Sequence, residues 1–226
     1  METSNGQERA ERVFPTLFTA PGVTQKSVFQ STYRHGDFAR YNHRWDHRMS
    51  VLFAYGACHR PYTPTAQAAW AVYGLPSPAI NPTTISRRLE NKGPSSNPEG
   101  QTTERAQIRA LIAALRCRDW SREGIATAVV ATSSPQMIRG ATRCVEGWVN
   151  NNWLTDKGES VKNRDLWEML LSEVENLNRQ GVSVKFWRVR RALVGAPRYA
   201  AAAEAQQGQD IDEWEDEVPM AIAPDL

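Results

Sequence analysis

The chain has 226 residues, 41% hydrophobic, 23% charged and 9% aromatic, a composition that excludes a fibrous repeat, a collagen-like chain and a fully disordered protein. Its net charge of +2 hides an asymmetry: residues 204–226 hold 8 acidic and no basic side chains, leaving 27 basic against 17 acidic, a net of +10, in the rest. Such a basic body with an acidic tail fits a nucleic-acid surface shielded by its own tail, or a plain solvated basic face.

Residues 1–48 show no sustained period and read as an irregular N-terminal extension, with four aromatics between Tyr33 and His47. Ser50–Ala57 (SVLFAYGA) is a short apolar run of the kind found in strands buried on both faces. Ala68–Tyr73 and the more polar Thr83–Leu89 follow as strands, separated by turn-rich stretches. After an exposed loop to Gln101, Thr102 or Thr103 caps a helix whose Ile108, Leu111, Ile112 and Leu115 share one face. Ala126–Thr132 is a second central strand. Ser134 and Pro135 then start a helix running to about Trp148. A polar loop to Lys162 leads to Asn163, read as the cap of a helix with Leu166, Leu170, Val174 and Leu177 on one side. Val182–Val189 reads as a strand, Ala196 to about Gln207 as an Ala-rich helix, and residues 208–226 as a flexible acidic tail. This order gives a mixed α/β sheet with helices packed on it.

No run approaches the ~18 apolar residues that cross a bilayer, and METSNGQERAERVF lacks the apolar stretch of a secretory signal. Cys58, Cys117 and Cys144 have neither disulfide-framework nor zinc spacing and read as reduced thiols of an intracellular protein, cytoplasmic or nuclear. His35, Asp37, His43, Asp46 and His47 match no tight zinc pattern. No Gly-rich phosphate loop or Gly-x-Ser-x-Gly elbow is present.

Gly147–Glu168, GWVNNNWLTDKGESVKNRDLWE, resembles type 1 ribonuclease H, including its VKN-x-DLW block. YGAC, AWAVY, RRLE, QTTERAQIRALIAAL, VVATSS, VSVKFWRV and the terminal Ala-rich helix follow the same family's order, so the resemblance covers about residues 50 to 205. It implies a ribonuclease H-like domain over 50–207: a five-stranded mixed sheet, strand order 3-2-1-4-5, flanked by helices.

The family holds two Mg²⁺ ions on four carboxylates, which makes it an RNA–DNA hybrid endoribonuclease. The matching positions here are Tyr55, Gln107, Ser133 and, at the start of the last helix, Pro197-Arg198. Glu104 points to another side of its helix, and ALVG contains no histidine where the family's loop has one. Mg²⁺ requires oxygen donors, preferably charged, and a guanidinium adds a fixed positive charge. The resemblance therefore implies a catalytically inactive member with no metal and no cofactor. Its partner is expected to be hybrid or RNA-like duplex. The expected contacts are Asn152, Trp153, Thr155, Lys157, Lys162, Asn163, Arg188, Arg190, Arg191 and Arg198, with Trp153 stacking on a sugar. Two alternatives stay open: a protein-interaction scaffold using the acidic tail, and altered hydrolase chemistry with Tyr55, Ser133 and Arg198 in the old cleft.

Overall fold

In the computed structural model, which describes residues 12–20, 28–33, 39–75 and 83–219, the strands are β1 (Thr16–Leu17), β2 (Phe29–Tyr33), β3 (Ala39–His43), β4 (Met49–His59), β5 (Gln67–Leu75), β6 (Thr83–Arg88), β7 (Thr127–Thr132) and β8 (Ser183–Arg188). The helices are α1 (Thr103–Arg116), α2 (Pro135–Arg139), α3 (Val145–Asn150), α4 (Arg164–Arg179) and α5 (Gly195–Gln207). A π turn, Gly140–Cys144, joins α2 to α3, and a 3₁₀ turn, Arg191–Val194, precedes α5.

The central order is β6-β5-β4-β7-β8, with β5 antiparallel to β4 and β6, and β4, β7 and β8 parallel. This is the 3-2-1-4-5 sheet that the resemblance implies. Three strands lie outside that frame: β1 pairs with the outer edge of β8, and β2 and β3 form an antiparallel pair joined to β4 at Asn42 and Ser50.

The sheet is buried on both sides because its central strands alternate between two apolar clusters. Leu52 and Ala54 of β4 and Ala128 and Val130 of β7 meet α1 and α4 through Ile108, Leu111, Leu166 and Leu170. Val51, Phe53, Val129 and Ala131 face the other way, against Trp187, Val189, Val194 and the N-terminal Phe18, Val28 and Phe29. α1 begins as its sequence requires: Thr102 accepts the Arg105 N–H at 3.1 Å. Ser134 caps α2 by accepting the Met137 N–H at 3.4 Å.

Both ends of the chain depart from the sequence reading. The stretch before residue 48 is not irregular where it is described: Phe18, Val28 and Phe29 are buried, and the rings of Phe18 and Phe29 lie 5.4 and 5.3 Å from that of Trp187. These short strands carry little period of their own; β1 adds to the outer edge of β8, and β3 meets β4 at Ser50, ahead of the Phe53–His59 stretch that pairs with β5. Residues 209–218 have no regular structure yet are docked, with Val218 only 6% exposed. Opposite charge on the body gives the acidic segment a surface to lie on.

Candidate nucleic-acid interface

A close approach of strand and helix fixes where Gln107 lies relative to β4. A Cβ on Gly56 would overlap the backbone of Ala106 and Gln107, so only glycine lets α1 cross β4 at this point. That contact lays the backbone of Ala106 and Gln107 against β4 at the residue after Tyr55, whose ring packs on the Phe53 side of the sheet. In the parallel β4–β7 register Phe53 stands opposite Ala131, and Tyr55 and Ser133 each lie two residues further on. Tyr55 is half-buried against the cluster of Phe53 and Trp187. Val194 is buried against β4 and β7 and starts α5 above these strands. Pro197 is buried, and half-buried Arg198 has its guanidinium carbon 4.8 Å from the ring centroid of Tyr199. The Arg198 Nε is buried and has no hydrogen-bond partner among the described residues.

These side chains do not fit a Mg²⁺ pair. A phenol, an amide and a hydroxyl give neutral oxygens at best, and Arg198 repels a cation. Among the described residues no three His, Cys, Asp or Glu side chains gather as a metal-binding group. Burial disfavours the thiolate at two of the cysteines: it pushes Cys58 up, against a backbone hydrogen bond at Gln67 and nearby Arg88, and drives Cys117 up to about 12. The Cys58 Sγ–H points to the Gln101 carbonyl at 3.4 Å.

The loop and helix residues expected to touch nucleic acid divide into two groups. Asn152, Lys157, Lys162, Arg188, Arg190 and Arg191 are exposed. Trp153 needs correction, while Thr155 and Asn163 are half-buried and bonded within the protein. Trp153 is 6% exposed and belongs to the core. The loop coils back there, with positive φ at Asn152 and Trp153, and the Trp153 N–H bonds the Trp148 carbonyl at 2.6 Å. Its indole is unavailable for stacking on a sugar. Thr155 is half-buried, and its hydroxyl accepts the Glu159 N–H at 3.2 Å. Asn163 occupies the predicted cap position but in the left-handed region, φ 55°, where its side chain makes no cap bond. Its carbonyl instead accepts the Leu166 and Trp167 N–H groups, and its Oδ1 accepts from Arg105 at 3.4 Å.

That contact belongs to a buried ion cluster. Arg105, 2% exposed, forms a two-pronged pair with Asp165 and approaches Glu99 at 3.5 Å. The Asp of the VKNRDLW block thus ties α4 to α1, and Trp167 packs over Gly140 and 5.5 Å from Trp148. Tyr199, 69% exposed beside Arg198, went unmarked in the sequence. The Arg-Tyr pair at a helix start was the one signal for it.

Sheet order and helix placement define a ribonuclease H-like α/β domain. The RNase H family model matches residues 47–187, and the chain belongs to that family. It is 37% identical over 78 residues to Ribonuclease H of Zymomonas mobilis subsp. mobilis, covering 34% of this chain and 46% of that one. It is 36% identical over 78 residues to Ribonuclease H of Geotalea uraniireducens, covering 34% and 50%. The chain thus spans half or less of these relatives' length. Among solved structures, the foamy viral protease–reverse transcriptase in complex with RNA/DNA hybrid aligns with a TM-score of 0.50 and 14% identity, over 69% of this chain and 20% of that one. This last likeness is one of fold. Among the described residues no helix is long and apolar enough to cross a membrane.

Proposed function

We propose that this protein binds RNA–DNA hybrid or an RNA-like duplex through its backbone phosphates and does not cleave it by a metal-dependent route. The reading is carried by the lack of an acidic side chain at Tyr55, Gln107, Ser133 and Arg198, the positions that the resemblance pairs with the family's carboxylates, and by an Arg198 Nε that has no hydrogen-bond partner among the described residues. Where carboxylates would repel a phosphate unless metal ions intervened, a guanidinium attracts it directly and with directional bonds. Arg198 also lies in the first turn of α5, whose dipole favours an anion. Exposed Arg188, Arg190 and Arg191, at the end of β8 and the turn before α5, extend the positive surface. Asn152, Lys157 and Lys162 would supply further backbone contacts from the loop before α4.

Two measurements test this reading. Purified protein with Mg²⁺ or Mn²⁺ is expected to leave a labelled hybrid intact, and hybrid binding is expected to survive EDTA. Arg198→Ala should weaken binding by about 1–3 kcal/mol, the scale of a charged hydrogen bond. Binding that collapses in EDTA, or an Arg198→Ala protein of unchanged affinity, removes the metal-free phosphate site. The relatives' name favours a second reading, an active hybrid-cleaving enzyme. Metal-dependent cleavage abolished by substitution of Tyr55, Gln107 or Ser133 would establish it.

A further inference from the structure

Residues 209–218 follow a defined course around the edge of the sheet. Neighbouring residues of edge strand β6 point to opposite faces. Arg88 reaches the Ala205 carbonyl of α5 at 3.2 Å and Asp210 at 2.8 Å. Arg87, on the other face, pairs with Glu215. Between these points the backbone N–H groups of Asn91 and Lys92 donate to the carbonyls of Ile211 and Asp212 at 2.7 and 3.1 Å, and Lys92 pairs with Glu213. The segment therefore leaves α5, rounds the β6 edge and arrives on α1. There the Arg109 guanidinium lies over both Trp214 (4.5 Å) and Trp70 (5.1 Å) and donates to the Glu215 carbonyl at 2.9 Å. Arg116 donates to the Asp216 carbonyl at 2.9 Å and its carboxylate at 3.3 Å.

The cations beneath this segment are of two kinds. Arg88 and Arg109 are 2% and 1% exposed, and Arg109 has its own buried partner, Glu90, at 2.8 Å. They are structural. Arg87, Lys92 and Arg116 lie nearer the surface, at 38%, 37% and 16% side-chain exposure with the segment in place, and Arg116 is also held from the body by Glu173 at 2.7 Å, which leaves its NH1 end to the segment. Two of their carboxylate partners, on Glu213 and Asp216, are themselves largely in solvent. Ion pairs of this kind are individually weak and screened by salt, and a phosphate can take the place of a carboxylate in each.

We infer that Arg87, Lys92 and Arg116 form a second polyanion-binding edge, masked in cis by Glu213, Glu215 and Asp216, which nucleic acid engages by displacing the segment. The inference rests on the proposal above that the protein binds nucleic acid, and adds where else it is bound and what holds that surface closed.

The test compares the full chain with a triple variant, Glu213→Gln, Glu215→Gln and Asp216→Asn, which keeps Trp214 and Val218 as anchors. Hybrid binding is titrated between about 50 and 200 mM salt. The variant should bind about tenfold tighter at the lower salt, with a log–log salt slope steeper by about 2–3, since each phosphate engaged contributes roughly 0.9. Adding Arg87→Ala, Lys92→Ala and Arg116→Ala to the variant should return both quantities to those of the parent. An unchanged slope, or a gain that survives these three substitutions, overturns the inference. Hydrogen exchange on the unmodified chain covers a variant that fails to fold: amides of 209–218 should exchange faster when hybrid is added, and unchanged protection overturns the inference. Heparin separates the two proposals. If it binds the variant through Arg87, Lys92 and Arg116 while hybrid binds neither protein, the edge stands and the duplex reading falls. Hybrid binding that needs Arg198, with equal salt slopes in parent and variant, does the reverse.

Discussion

The two ends of this chain are both docked on the same sheet, but by different physics. The N-terminal strands hold by apolar burial: Val28 is fully buried, Phe29 is 6% exposed, and Phe18, Phe29 and Trp187 meet with centroids 5.3–5.5 Å apart. The C-terminal segment holds by charge, with four ion pairs from the body and two partly or fully buried apolar anchors, Trp214 and Val218. Burial of that first kind is cooperative with the core and is not weakened by ionic screening. Exposed ion pairs are neither, so one end is part of the folding unit and the other opens locally.

The largest expected effect is at the N-terminal end. Phe29→Ala should cost about 3–5 kcal/mol, the usual loss for a buried ring, and lower the single thermal transition of the whole domain. A melt in which β4 and β8 keep their stability would show that β2 is an accessory. Next comes Trp214→Ala, which removes the ring over Arg109 and should cost about 1–2 kcal/mol, read as faster exchange confined to 209–218. Equal loss of protection in α1 would mean that this end, too, belongs to the core.

The smallest effects separate the ends by pH. Burial lowers the His43 pKa from 6.5, against the pull of Asp46, so the unfolded state binds the proton first. Its contribution is present above 6.5 and lost as pH falls through the folded value. Asp216 is lowered from 3.8, first by the Trp214 N–H and then by Arg116, while partial burial opposes both. Its contribution is present above 3.8 and lost only as pH falls through the still lower folded value. Acidification from pH 7 to 5 should therefore loosen β3 slightly and leave the tail amides protected. NMR titration of backbone amides reads both, and tail release above pH 5 would contradict the assignment.

The central sheet was legible because its signals are local. Ser50–Ala57 and Ala126–Thr132 are continuous apolar runs, and their observed counterparts are buried on both faces. The caps Thr102 and Ser134 lie where the sequence puts them. Family motifs frame Tyr55, Gln107, Ser133 and Arg198, so the proposed counterparts of the family's carboxylates can be named at the level of single residues. The misread features depend on tertiary partners. Phe18 and Phe29 carry no period, and only Trp187 gives them a place. Trp153 stands in a polar loop, NNNWLTDKG, and its burial follows from two consecutive left-handed residues that no composition announces. Tail docking required knowing that Arg87, Lys92, Arg109 and Arg116, spread over 30 residues, share one edge.

Gly56 has a meaning for protein engineering. Its missing side chain lets α1 lie against the β4 backbone. A designer seeking to load a divalent ion here inherits the spacing. Acidic residues at 55, 107 and 133 alter charge without touching the backbone crossing, whereas Gly56→Ala would push α1 away and spoil the geometry for any ligand set. The first requirement of such a redesign is therefore a residue to leave alone.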